Sequence, residues 1–347
     1  MGLDSDRVDL SVVLLYNIDR SWPEGEIKSA VDDAVHLCQL MQALGHPVEA
    51  VPVYDGELRA LLAGFDPERH TVLNWCEGLP GVPRSYGQVA QMLEEMGFAY
   101  TGAPPVVLEV TEDKRRVKML LEESGVPTPA WRICETVEAD DWTRFPAIVK
   151  PAWEHCSVGI GPESVVTSMG ELRDRIAYVL DSLHEPALVE DFIDGREFHG
   201  VLWGDEEVAM LPPVEIDYAH FSDIHMRLCT YDTKNNPDSE QYQRFRTLLP
   251  APLSPEELAL LERTVVDAYK ATGCRDYARL DVRLRDGVFH VLDVNPNCYM
   301  SEDCTFVRSA AEAGYSYAEL GSRLINMAWR RKQRESARGA RDRLYGT

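Results

Sequence analysis

The chain has 347 residues, 58 acidic against 35 basic, for a formal net charge of −23. A surface that negative suits neither nucleic acid nor an anionic membrane, and any polyphosphate must be met by locally gathered cations. The length exceeds what one core usually covers, and there is neither a bilayer-length apolar run nor a basic-then-apolar leader, so a soluble, cytoplasmic protein of two or three domains is expected. Eight cysteines are scattered without the paired short spacing of a zinc site and read as reduced thiols.

Residues 8–16 form an apolar run typical of a buried parallel strand, and residues 27–44 follow with helical spacing and stop before Gly45. Residues 47–54, 71–75 and 98–101 read as further strands, with a helix over 86–96. This alternation predicts a parallel sheet with helices on its faces, an α/β domain over residues 1–107. Thr111-Glu112-Asp113-Lys114 opens a helix with Thr111 as cap and Val117, Leu120 and Leu121 as buried stripe; Gly125 and Pro127 end it. A smaller unit is expected over 108–186, with a strand ending in Ile148-Val149-Lys150-Pro151, a glycine-bearing loop, a strand near Val165 and a helix over 171–183. Residues 187–330 form a third unit, opened by a strand meander whose hairpin turns are Asp194-Gly195 and Gly204-Asp205 and containing a helix over 256–272. Residues 331–347, rich in arginine, read as a basic tail or solvated helix end.

Two strand-like runs around Arg285-Asp286-Gly287 carry the densest chemistry. If that triplet is a three-residue loop, Leu284 pairs with Val288, and Arg279, Asp281, Asp293 and Asn295 share one face. The other face then carries Leu280, Val282, Leu284, Val288, Leu292 and Val294, with His290 the exception. A two-residue loop would place Asp281 and Asp293 on opposite faces, so the apolar pattern selects the longer one. Two carboxylates, a carboxamide and an arginine suit a hard cation and a phosphoryl group.

Lys150 closes an apolar strand before a loop, residues 151–161, whose small residues let backbone amides approach phosphate oxygens. Taken alone, it reads equally well as a surface loop. Residues 187–193 place Glu190 and Asp191 in an apolar run; by themselves they suggest an edge strand with charges facing water, although such an edge also offers peptide groups to an adenine and Glu190 to its amino group.

The order of these pieces is more specific than any one of them. Tyr100-Thr101-Gly102-Ala103, Asp113-Lys114, Gly125-Val126-Pro127-Thr128-Pro129, Ile148-Val149-Lys150-Pro151, the run from Val189 to Glu197, Leu211-Pro212-Pro213-Val214-Glu215-Ile216 and Arg279-Leu280-Asp281-Val282 resemble the ATP-grasp superfamily, in its D-alanine:D-alanine ligase branch. The resemblance implies a three-domain ATP-grasp fold, α/β at the N-terminus and α+β beyond, with a nucleotide between two sheets. It implies that Lys114, Lys150 and Ser157 meet ATP phosphates, that Glu190, Asp191, Ile193 and Glu197 hold adenine and ribose, and that Lys234 neutralises the γ-phosphate. Asp281, Asp293 and Asn295 would hold two Mg²⁺ ions, or Mn²⁺, and Arg279 would steady an acyl phosphate and the oxyanion after it. The implied reaction joins a small carboxylate to an amine with release of ADP, in a homodimer. A cyclising or non-amino-acid ligase, and a nucleotide-binding protein without catalysis, are the alternatives.

The departures concentrate where substrate is read. His155-Cys156 replaces the ligases' Gly-Ser and is expected to line the pocket; adjacent residues in an extended loop point apart, so the two do not form an activated nucleophile. The first-strand loop lacks the family's Gly-x-Ser-x-Glu pattern, leaving Glu24 or Glu26 for a substrate ammonium. Pro296-Asn297-Cys298-Tyr299-Met300 replaces Pro-Gly-Met-Thr, which puts Asn297 and Asp303 among the expected substrate residues and points away from D-Ala-D-Ala as product. Asp293 stands where glutamate is usual.

Overall fold

Val12, Val13, Leu14 and Leu15 are all buried, which requires a strand covered on both faces: β1, Ser11–Asn17. It lies between β2, Val48–Val53, and β3, His70–Trp75, and β4, Ala99–Tyr100, extends the sheet past β3. All pairings are parallel, in the order β2-β1-β3-β4, as the alternating pattern predicts. The intervening helices are α1, Glu24–Leu44, α2, Leu58–Leu62, and α3, Tyr86–Glu95. The computed structural model describes residues 6–345 apart from 156, 231–232, 234–237 and 240–242.

α4, Pro105–Thr111, and α5, Lys114–Glu123, come next. Thr111 does not cap α5 as expected; it closes α4, its hydroxyl donating to the Val107 carbonyl at 2.9 Å. Asp113 takes the cap position and accepts from the Arg115 N–H at 2.9 Å. The middle sheet comprises β5, Trp131–Cys134, β6, Ala147–Pro151, β7, Val165–Val166, and β8, Ala187–Asp191, all antiparallel in the order β5-β8-β6-β7, under α6, Met169–Ser182. β8 therefore does not open a C-terminal meander. Every one of its residues is buried, and pairing on both edges, with β5 and β6, satisfies its backbone. Asp194-Gly195 is accordingly no hairpin turn but the crossing to the next sheet. Gly195 runs so close to that sheet that a Cβ would lie 1.9 Å from the Leu284 carbonyl oxygen.

The large sheet comprises β9, Arg196–Gly204, β10, Val208–Met210, β11, Val214–Asp217, β12, Arg246–Leu248, β13, Asp276–Arg285, and β14, Val288–Pro296. Its order is β12-β11-β9-β13-β14, with β10 pairing β9 across the expected Gly204-Asp205 turn. α7, Pro255–Thr272, packs Leu261, Val265 and Ala268 against Leu280, Val282 and Val291. α8, Thr305–Glu312, and α9, Tyr317–Tyr345, end the fold, and α9 returns Leu320, Leu324 and Ile325 to the core shared by β1 and α1. Among the described residues, no helix is long and apolar enough to cross a membrane.

The basic segment after residue 330 is not simply a solvated end. Arg331 donates to both oxygens of Asp276, at 2.6 and 3.0 Å, and to the Tyr100 carbonyl at 2.8 Å; Lys332 pairs with Glu68 and Arg334 with Asp205. Asp276 is fully buried in a left-handed conformation, φ 63°, and also accepts from the Gly102 N–H at 2.7 Å. One carboxylate thus ties β13 to the first sheet and α9. Asp276→Ala strands a buried guanidinium and is expected to cost about 3–5 kcal/mol in denaturant unfolding. Asp276→Asn keeps the backbone preference and a hydrogen-bond acceptor and should cost less; equal losses in the two variants would place the whole cost in the charge pair, and an Asn variant as stable as the wild type would show that the pair contributes nothing.

Candidate active site

β13 and β14 are joined by Asp286 and Gly287, with φ 53° and 75°, so Arg285 pairs with Val288 and Leu284 with Phe289. The loop has two residues and not the expected three. The register then shifts: Val282 pairs with Val291 but Asp281 with Asp293, leaving Leu292 as an unpaired bulge. That extra residue turns β14 over. Arg279, Asp281, Asp293 and Asn295 therefore share a face after all, while Phe289 and Val291, in place of Val288 and Leu292, enter the core.

A buried lysine holds the bulge. Lys118 donates to the carbonyls of Leu292 and Val291 at 3.0 and 3.3 Å and to the Thr128 hydroxyl at 2.8 Å. It also pairs with Glu190 Oε1 at 2.5 Å, and Glu190 Oε2 pairs with Lys150 at 2.6 Å. Burial opposes the glutamate's charge, but the two lysines outweigh it and hold its carboxyl below the usual range. Burial also pulls Lys118 down, against Glu190, whereas at Lys150 the carboxylate wins and the pKa is raised. Glu190 was expected at the adenine amino group; both of its oxygens are engaged by lysines.

Lys114 anchors its backbone N–H on the Ala152 carbonyl at 3.0 Å, at the start of the small-residue loop, and its ammonium lies 3.2 Å from Asp293 Oδ2. Arg279 grips Asp281 through Nε at 2.8 Å and Nη2 at 3.1 Å; Asn295 Nδ2 donates to Asp281 at 3.3 Å, and His199 Nε2 lies 3.6 Å away. Burial works against the guanidinium's charge, but Asp281 more than offsets it and raises its pKa. The charges form three ion-paired sets, Lys150–Glu190–Lys118, Lys114–Asp293 and Arg279–Asp281, which the Lys118 bonds to the bulge and the Asp281–Asp293 strand pairing bring side by side.

His155 sits beside these groups, its ring stacked on Tyr86 with centroids 6.1 Å apart and its buried Nε2 without a hydrogen-bond partner among the described residues. Burial first, and Lys114 second, push its pKa down to about 4, against Asp293, so the imidazole is neutral near pH 7. Among the described residues there is no group of three His, Cys, Asp or Glu arranged to hold a metal ion. The hairpin's donors are two carboxylates and one carboxamide oxygen, chemistry that fits Mg²⁺ or Mn²⁺, and a cation there would compete with Arg279 and Lys114 for those oxygens.

Glu197 is buried, and its Oε2 accepts from Arg283 Nε at 2.7 Å; Arg283 also donates to the Ile193 carbonyl at 3.0 Å and packs over Phe192 and Tyr218. Asp191 is held by Arg285 at 2.5 Å, and Ser157, at φ 64°, donates to the Cys229 carbonyl at 2.9 Å. Lys234, with most of the loop around it, and Cys156 lie outside the described residues.

The expected substrate residues fare unevenly. Glu24 and Glu26 are exposed in the first turn of α1, where acidic groups suit the helix dipole. Asn297 lies beside Gly102 and accepts the Ala103 N–H on its carboxamide oxygen at 2.8 Å. Asp303 accepts from the Ser301 hydroxyl at 2.7 Å. Glu77, which the sequence reading passed over, lies within electrostatic reach of Arg279. Arg283 was missed too, although the two-residue period from Arg279 and Asp281 reaches it.

The family model described as the D-Ala–D-Ala ligase C-terminus matches residues 119–326. The chain is 34% identical over 317 residues, 89% of each sequence, to a protein of Sinorhizobium fredii called uncharacterized protein y4sG. It is 32% identical over 249 residues to the D-alanine–D-alanine ligase of a Marinomonas species, covering 70% of this chain and 73% of that one. The crystal structure of a D-alanine–D-alanine ligase from Bacillus anthracis complexed with ATP superimposes with a TM-score of 0.72 at 19% identity, over 94% of this chain and 99% of that one.

Proposed function

Because the chain belongs to the D-alanine–D-alanine ligase family and has the ATP-grasp fold, we propose that it is an ADP-forming carboxylate–amine ligase acting through an acyl phosphate on substrates other than two D-alanines. The observation that carries this reading is the set of adjoining ion pairs made by the lysines of α5 and β6 and the hairpin's acidic face. An acidic chain has gathered three lysines and an arginine at one place, as phosphoryl transfer needs. The departures at His155, Asn297 and the exposed Glu24 and Glu26 support a substrate pair unlike that of the named relatives.

In this reading a donor carboxylate oxygen attacks the γ-phosphorus of ATP, the bond to the β–γ bridging oxygen breaks, and ADP leaves. Lys114 and Lys150 face phosphate oxygens, and Lys118, fixed on the bulge, keeps Glu190 and hence Lys150 in place. An amine nitrogen then attacks the acyl carbon, Arg279 holds the oxyanion, and phosphate departs as the amide forms. Asp281, Asp293 and Asn295 would hold divalent metal, which supplies charge neutralisation to the β- and γ-phosphates.

Asp293→Ala removes one of the two carboxylates and leaves Lys114 unpaired. ADP release should fall by roughly 10²-fold at saturating ATP and recover partly at high magnesium, since the loss is in metal holding. Near-normal release at low magnesium would remove Asp293 from this role.

A further inference from the structure

The loop that leaves β3 ends on Tyr86, the first residue of α3. Ser85 closes it: its hydroxyl accepts the Leu79 N–H at 2.7 Å and donates to the Val82 carbonyl at 2.6 Å. Within that closed loop Arg84 takes a left-handed backbone, φ 52°, a conformation uncommon for a residue with a side chain. Arg84 and Tyr86 are thus presented from a fixed segment of the first domain.

Both side chains reach the middle unit of the fold. The Arg84 guanidinium lies over the Trp153 ring, 4.6 Å from its centroid, and the Tyr86 ring stacks on His155 at 6.1 Å with 19° between the planes. Two positions two residues apart on one segment therefore meet two positions two residues apart on the other. Trp153 and His155 belong to the small-residue loop after Lys150, and the start of that loop is tied by its backbone to its own unit. The Ala152 N–H donates to the Pro186 carbonyl at 3.0 Å and the Trp153 N–H to Glu185 Oε2 at 2.9 Å. The Ala152 carbonyl in turn takes the Lys114 N–H at 3.0 Å, and Lys150 lies two residues upstream. The placement of residues 152–155 therefore sets where both lysines begin.

A cation over a ring and an offset ring stack each shift an equilibrium by about two- to tenfold. That is little against the stability of a folded chain, and enough to bias where one loop rests.

We propose that Arg84 and Tyr86 are positioning residues for ATP: they hold Trp153 and His155, and through them the chain at Ala152, where Lys114 and Lys150 meet the phosphates. The inference rests on the ligase reading above and adds to that site a support from the first domain.

The test is calorimetric titration of the full chain with a non-hydrolysable ATP analogue and magnesium, in the wild type, Tyr86→Leu, His155→Leu and the double variant. Tyr86→Leu should bind the analogue about three- to tenfold more weakly, the range of one stacked pair, whereas Tyr86→Phe keeps the ring and should bind as the wild type does. The double variant should lose no more than the larger single loss, because both changes remove the same contact. Arg84 is exposed, so Arg84→Gln should keep the unfolding midpoint and weaken the analogue by about two- to fivefold. Losses that add in the double variant, a Tyr86→Phe as weak as Tyr86→Leu, or full affinity in Tyr86→Leu or Arg84→Gln overturns the proposal. A wild type that does not bind the analogue is a different result: it defeats the ligase reading, and the proposal with it.

Discussion

Arg279→Ala is expected to reduce turnover by roughly 10²–10³-fold while ATP affinity stays within a few-fold, the loss seen when one preorganised oxyanion donor is removed. Arg279 is partly buried, charged and oriented by a two-point grip on Asp281, so it costs little reorganisation at the moment charge develops. Because that charge forms only after phosphoryl transfer begins, the effect should appear in kcat and leave ATP's KM nearly unchanged. Arg279→Lys should recover little, since an ammonium cannot hold Asp281 and a tetrahedral oxyanion through the same planar fork. A variant with near-normal kcat would put Arg279 outside the reaction and reduce its pairing with Asp281 to a structural role.

Glu190→Ala should be the most destabilising single change at the site. It leaves the buried Lys118 and the partly buried Lys150 side by side without their shared counter-charge, and breaking even one buried pair costs about 3–5 kcal/mol. The pH dependence has a definite sign. The carboxyl of Glu190 is held below its ordinary range, so its contribution is fully present above that range and is lost as pH falls through the lower folded value. Denaturant unfolding of wild type and variant should therefore differ most near neutrality and converge in acid. A constant difference across that range, or no difference at pH 7, would mean that the lysines do not depend on this carboxylate.

The parts of this site that could be read from sequence are those whose pattern is local. Apolar runs marked β1 and β3, and Gly45 marked the end of α1. The acidic face of the hairpin was found for an incomplete reason. The apolar alternation on each side of Leu292 is sound, but a bulge between them lets a two-residue loop reach the same face that a three-residue loop would give without one. Nothing in the run Val291-Leu292-Asp293 distinguishes a bulged leucine from a core leucine, because the cause lies elsewhere in the chain, in the Lys118 ammonium that bonds the Leu292 carbonyl. Lys118 did leave a trace: the buried positions of α5 are Lys114, Val117, Lys118 and Leu121, a regular i, i+3, i+4, i+7 stripe carrying two lysines. A lysine on the buried stripe signals a buried counter-charge. Tyr86 left none, since one tyrosine at a helix start acquires meaning only when the fold brings His155 against its ring.

The central claim is that the lysines, Arg279 and the acidic hairpin face form a carboxylate-activating engine. Its most direct test is ADP release from ATP and magnesium, scored against a panel of amino-acid donors paired with amines, with mass analysis of the products. The account predicts that at least one pair stimulates release, with ADP, phosphate and an amide formed in equal amounts. ATP binding without stimulation by any carboxylate, or ADP formed without a matching amide, would contradict it.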